Sequence, residues 1–220
     1  MRRVVDAVFT SLDGVMQGPG GPEEDPTGGF AHGGFVAPWF DDILAAHVTE
    51  IMSEPFDLLL GRKTYEIFAA HWPYAPEDDQ IGQTFKDITK YVATRRGDTL
   101  VWGPAQALPD AAADVARLRK EDGPKLLIQG SSELLHTLFA HDLIDELHLM
   151  TVPVVLGKGK RWSSDAALPA GLKLTASKTT TTGVVITTYV REGAVPTGSF
   201  EFETPTDAEL ARRERMRREG

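Results

Sequence analysis

The sequence predicts an α/β fold, a mostly parallel sheet flanked by helices with one edge closed by an antiparallel C-terminal hairpin. Three observations carry this. Short apolar, β-branched runs alternate with amphipathic segments over the first two thirds of the chain, the rhythm of strand–helix–strand units. The last third changes character: Ile144 to Pro153 alternates polar with apolar residues, and 172–177 and 183–191 are strand-like, joined near Thr182-Gly183. Two further apolar runs, Asp57-Leu58-Leu59-Leu60-Gly61 and Lys125-Leu126-Leu127-Ile128-Gln129-Gly130, each end in a glycine turn that opens a helix.

The elements follow in order. Val4 to Thr10 is a strand running into the turn Ser11-Leu12-Asp13-Gly14. Residues 17–34 form a long loop rich in glycine, proline and acid, and Phe30 and Phe35 within it favour packing on something, such as a ligand. Pro38 to Ser53 has Ile43, Leu44, Val48 and Ile51 at helical spacing. Phe56 to Gly61 is a strand, Thr64 to Ala70 a short helix and Ile81 to Ile88 another. Lys90 to Arg95 and Thr99 to Trp102 read as strands. Ala111 to Lys120 is an amphipathic helix ending before Gly123-Pro124, and Ser132 to Phe139 a helix after the strand 126–129. Residues 1–195 make one domain. Residues 196–220 are a charged tail, a solvated helix or a frayed end carrying five arginines between 212 and 218.

Composition excludes several classes. A formal charge of −9 argues against a nucleic-acid-binding surface. The acidic runs Glu23-Glu24-Asp25 and Glu77-Asp78-Asp79 read as solvated loops. The absence of cysteine removes disulfides and thiolate metal sites. No apolar stretch reaches the ~18 residues of a membrane span, and Asp6 and Asp13 break any signal-peptide core, so a cytoplasmic location is expected. The six histidines show no metal-ligand spacing, and no metal is expected. Gly157-Lys158-Gly159-Lys160-Arg161 lacks the serine or threonine of a phosphate loop and reads as a basic turn near a cofactor or in solvent.

The two glycine turns suit an anion. A helix N-terminus offers unpaired N–H groups and the positive end of the dipole, and glycine lets backbone approach a ligand closely. After Gly61 come Arg62, Lys63 and Thr64; after Gly130 come Ser131 and Ser132. Two such turns in one domain point to a nucleotide lying across the strand ends.

At Leu60-Gly61-Arg62-Lys63-Thr64-Tyr65 the chain resembles the dihydrofolate reductase superfamily. Within it, the nearest likeness is to the reductase domain of the riboflavin-biosynthesis deaminase-reductase. Ser11-Leu12-Asp13-Gly14, Thr94-Arg95, Ile128-Gln129-Gly130-Ser131 and Pro153-Val154-Val155-Leu156-Gly157-Lys158-Gly159 match in the same order. The resemblance implies a twisted mixed sheet binding NADPH and a hydride transfer to a small pterin- or flavin-precursor-like substrate. It also implies that Arg62, Lys63 and Thr64 meet cofactor phosphates, Thr94 and Arg95 the 2′-phosphate side, and Gly130, Ser131 and Ser132 the pyrophosphate. Dihydrofolate reductases carry paired glycines where this chain has Gly130-Ser131. Their catalytic carboxylate follows a Pro-Trp pair, here Pro38-Trp39-Phe40-Asp41-Asp42 with shorter spacing. Asp41 and Asp42 are therefore candidates for catalysis and equally for a helix N-cap, and Asp13 for catalysis or for shaping its turn. Trp39, beside the glycine loop, is the candidate substrate-stacking residue, whereas Trp72, Trp102 and Trp162 read as core or interface. The expectation is an NADPH-dependent reductase acting on a small molecule as a homodimer. The alternatives are a nucleotide-binding protein of the same fold without catalysis and a scaffold recruiting a partner through its charged tail.

Overall fold

The computed structural model describes residues 1–95, 99–164, 167–201 and 203–219. The strands are β1 (Val4–Ser11), β2 (Phe56–Gly61), β3 (Lys90–Ala93), β4 (Ala105–Leu108), β5 (Lys125–Ile128), β6 (Glu146–Val152), β7 (Leu172–Thr179) and β8 (Val185–Arg191). They form one sheet in the order β4-β3-β2-β5-β1-β6-β8-β7. The first six run parallel, with Val5 opposite Leu127 and Glu146, and β8 runs antiparallel to both β6 and β7. The helices are α1 (Asp42–Met52), α2 (Arg62–His71), α3 (Gln80–Asp87), α4 (Ala111–Leu118), α5 (Ser132–Ala140) and α6 (Asp207–Glu219).

Alternation along the buried strands divides the core in two. Val5, Leu58, Leu60 and Leu127 point to one face, where Leu44 of α1, Tyr65 of α2 and Phe85 of α3 cover them. Val4, Val8, Leu126 and Ile128 point to the other, beneath Val115 of α4 and Leu135 of α5. Each buried leucine contributes roughly 1.5–3 kcal/mol. The amino ends of the parallel strands are tied together by Arg2. Its guanidinium pairs with Asp57 and donates to the Pro124 carbonyl at 2.7 Å and the Tyr91 hydroxyl at 3.1 Å. The opposite, carboxyl ends are where open parallel sheets place their ligands.

Two elements depart from the sequence reading by more than a residue or two at an end. The fourth strand is Ala105–Leu108 rather than 99–102. The Trp102 backbone is taken by a side chain instead: its N–H donates to the Tyr65 hydroxyl at 2.7 Å, and that hydroxyl donates to the Trp102 carbonyl at 3.1 Å. Helix α1 begins at Asp42, not Pro38, because the Asp41 carboxylate accepts the Leu44 N–H at 2.9 Å and caps the helix there. The preceding Ala37–Trp39 is a separate short 3-10 turn.

Candidate functional site

The two glycine turns meet. β2 and β5 are neighbours, and the Gly61 N–H donates to the Gly130 carbonyl at 3.0 Å. A Cβ on Gly61 would sit 2.1 Å from the Ser131 hydroxyl, and one on Gly130 would sit 2.9 Å from that of Thr64. No larger residue fits either contact unshifted, so the sequence uses glycine twice where the turns touch. The N-termini of α2 and α5 thereby lie side by side at the strand ends, although the helices cover opposite faces of the sheet.

Among the described residues these are also the two α-helices without a side-chain cap. Asp41, Asp79 and Asp110 cap α1, α3 and α4, and Thr206 accepts from the first turn of α6. Gly61 and Ser131 precede α2 and α5 without a capping bond, although serine is a favoured cap. The first-turn amides of both helices thus carry no capping side chain where they face the cleft.

That cleft encloses about 910 Å³. Lys63, Thr64, Gly130, Ser131 and Ser132 line it at the helix N-termini. Gly61 is buried beneath Ser131. Arg62, Thr94 and Arg95 lie outside the lining. Arg62 pairs with Glu66 one helical turn on, Thr94 is buried, and Arg95 is exposed just beyond the end of β3. The remainder is largely apolar: Phe9 from β1, Val48 and Met52 from α1, Phe68 from α2 and Trp72 just after its end, and Met150 from β6.

The three carboxylates singled out as proton donors lie outside this lining. Asp13 accepts the Ser11 hydroxyl at 2.7 Å and the amides of Leu156 and Gly157 at 3.0 and 2.8 Å, and it pairs with Arg161. These bonds, the Leu156 amide above all, hold its carboxyl well below the usual range. Asp41, besides capping α1, accepts the Thr181 hydroxyl and amide at 2.6 and 2.8 Å. The Thr181 hydroxyl is the main cause of its titration at about 2. Asp42 is exposed in the first turn of α1.

Trp39 likewise stands away from the cleft. It packs on the core, and its carbonyl accepts the Thr182 hydroxyl at 2.7 Å. Phe40, with its ring 6.2 Å from that of Phe9, takes the position on the wall, and Trp72 also lines the cleft. The glycines at 28–34 are not in the wall either, and Phe30 and Phe35 are buried in the protein. The first half of that loop forms the wall instead. Gln17 donates to the Asp25 and Thr27 carbonyls at 2.9 Å and accepts the Lys160 amide at 3.0 Å, while Lys160 pairs with Asp25. The basic turn at 157–161 is therefore a fastener for this loop.

Glu24 was read as solvated and is not. It is half-buried on the cleft wall, and its Oε2 accepts the Gly20 and Gly21 amides at 2.6 and 3.1 Å. Burial pushes its carboxyl above the usual range despite those amides; Asp25 adds to the rise and His71 opposes it. The signal in the sequence was the Gly18–Gly21 run just before it, whose amides can turn to hold a carboxylate.

The fold is dihydrofolate reductase-like. Residues 2–187 match the RibD C-terminal domain, and the chain belongs to that family. It is 25% identical over 195 residues to the Bacillus subtilis protein YyaP, described as uncharacterized, covering 86% of this chain and 94% of YyaP. It is similar in structure to an Enterococcus faecalis dihydrofolate reductase solved with NADP(H), with TM-score 0.55 and 15% identity over 86% of this chain and 96% of that one. It is also similar to a Thermotoga maritima diaminohydroxyphosphoribosylaminopyrimidine deaminase and 5-amino-6-(5-phosphoribosylamino)uracil reductase, with TM-score 0.56 and 14% identity over 86% of this chain and 56% of that one. No described helix is long and apolar enough to cross a membrane.

Proposed function

We propose that the chain is an NADPH-dependent reductase of a small heterocyclic substrate, pterin- or flavin-precursor-like in its flat ring. The carrying observation is the pair of uncapped helix N-termini, packed together through Gly61 and Gly130, at one end of an apolar cleft. The residues there fit a dinucleotide. Close backbone approach at Gly130 and the first-turn amides of α2 and α5 suit a pyrophosphate, Lys63 adds positive charge, and Thr64 and Ser132 add hydroxyl donors. When bound, the nicotinamide supplies hydride to the substrate. The apolar walls around Phe68 and Met150 hold a flat ring and keep water from it.

Binding of NADPH and NADH, followed by quenching of tryptophan fluorescence, tests the cofactor assignment. NADPH is expected to bind at least roughly tenfold tighter, since one charged hydrogen bond supplies ~1.5–3 kcal/mol. Arg95→Ala is expected to remove most of the difference. Equal affinity overturns the assignment of the 2′-phosphate side, and no binding of either overturns the function.

A second reading, a nucleotide-binding protein of the same fold without catalysis, draws support from Asp13, Asp41 and Asp42 all serving outside the cleft. NADPH oxidation across a panel of pterins, flavin precursors and quinones separates the two.

A further inference from the structure

We propose that His47 and His148, packed ring to ring at the seam between α1 and β6, form a pH-sensitive latch on the cleft. With His47 neutral the seam is closed and the apolar wall complete; a proton taken up there loosens α1 and weakens the hold on a ligand. The inference goes beyond the reductase reading, because it concerns the cleft as an apolar binding site and needs no particular cofactor.

The pair is buried where two walls of the cleft meet. The side chains of His47 and His148 are 11% and 10% exposed, and their ring centroids are 5.3 Å apart. On α1, His47 falls between Leu44 and Ile51 along the buried stripe, and Val48, Ile51 and Met52 line the cleft. On β6, Met150 follows His148 by two residues on the same face and also lines the cleft. So does Ala7 of β1, which lies opposite His148 in the sheet. A shift at the seam therefore moves both walls.

Hydrogen bonding at the seam suits a neutral His47. His148 uses both ring nitrogens, Nε2 with Glu146 at 2.7 Å and Nδ1 with the Thr188 hydroxyl at 3.2 Å. His47 Nδ1 lies 3.7 Å from the Glu50 carboxylate, and its Nε2 is buried with no partner among the described residues. A neutral imidazole can leave that nitrogen unprotonated. An imidazolium cannot, since both nitrogens then carry N–H groups, and one of them would be dry and unpaired. Burial first, then His148 and Lys178 of β7, disfavour the charged form, and the exposed Glu50 opposes them. Glu146, the nearest carboxylate on β6, is engaged by Arg3 at 3.1 Å as well as by His148. To accept the proton, the seam must open to water.

Fluorescence titration of the full chain with N-phenyl-1-naphthylamine, a flat apolar probe that stays uncharged, at about pH 7.5 and about pH 5.5 measures the coupling. Affinity is expected to fall on acidification. The fall should be at least about twofold larger in the wild type than in His47→Leu, which fills the seam but takes no proton. Glu24 and His71 in the cleft wall are present in both proteins, so the comparison isolates His47. By linkage, saturating probe should also lower the titration midpoint of the His47 ring, followed by NMR on the wild type. A histidine with only a structural role would change stability and show no such shift. The proposal is overturned if His47→Leu loses as much affinity on acidification as the wild type, if the probe leaves the His47 midpoint unmoved, or if the probe fails to bind at the higher pH. The NMR measurement needs no variant and stands as a test even if His47→Leu does not fold.

Discussion

At the scale of single residues, Asp6 is the least expected side chain. It lies in the middle of β1, fully buried on the face of Val4 and Val8, opposite Ile128 and Leu147. Among the described residues, neither carboxyl oxygen has a partner of good hydrogen-bond geometry. Burial pushes its carboxyl well above the usual range, and the Ala7 amide offsets only part of this. A carboxyl raised on folding keeps its proton in the native state, so its contribution is fully present below the unfolded value of about 3.9 and is lost as pH rises. Asp6→Asn should therefore flatten the decline of stability between about pH 4 and 7 and stabilise the chain at neutral pH by about 1–3 kcal/mol; urea midpoints at several pH values measure both, and an unchanged slope would contradict this account. Gly130 is the opposite case, a residue with no room to change. Its φ is +116° and an added Cβ meets Thr64 at 2.9 Å. Gly130→Val should cost roughly 1–3 kcal/mol in stability and abolish NADPH binding, whereas Ser132→Ala should weaken binding with the melting temperature nearly unchanged.

Among elements, α1 connects the cleft to the antiparallel edge. It gives Val48, Ile51 and Met52 to the wall, and its His47 ring lies 5.3 Å from that of His148 on β6. His148 in turn bonds Glu146 at 2.7 Å and Thr188 at 3.2 Å. Burial, with His148 and Lys178 adding to it and Glu50 opposing, lowers the His47 pKa. A histidine depressed on folding contributes stability that is present above its unfolded value of about 6.5 and lost as pH falls through it. The His47 contribution should thus be lost between pH 7.5 and 5.5, against the opposite contribution of Asp6, and His47→Leu should raise the melting temperature at pH 5.5 relative to that at pH 7.5 when compared with the wild type; differential scanning calorimetry at both pH values checks it. Much of this architecture was legible in the sequence. Strands such as Leu126–Ile128 and Leu58–Leu60 are short, bounded and wholly apolar, so their pattern suffices. β4 was not legible, because the more strand-like Thr99–Trp102 loses its backbone groups to the Tyr65 hydroxyl, a partner 37 residues away. For the same reason the paired glycine turns could be read locally, while the cleft role of Glu24 depends on how a glycine-rich loop folds back. Of the two readings offered for Asp41 and Asp42, the structure shows the helix cap, at Asp41, while the short 3-10 turn carries Trp39 onto the core.

For the whole molecule, β7 forms one outer edge of the sheet, and all eight of its residues are exposed. Leu172 and Leu174 are among them, at 42% and 49% exposure. An open edge of this length invites pairing, and light scattering at micromolar concentration is expected to give about twice the 24.0 kDa chain mass. Leu174→Lys should shift that toward the single chain, and a wild-type monomer would contradict the dimer while leaving the cleft untouched. The end of the cleft proposed to hold an anion behaves differently under sequence change. Its donors are largely main-chain amides, oriented by where two strands stop and two helices start. Mutation can replace every side chain around such a cradle but cannot delete an amide, short of inserting proline. Chains with 14–15% identity can therefore share this fold, and under the proposed function new substrates can be acquired by altering the loop and α1 walls without rebuilding the end proposed to grip the nucleotide.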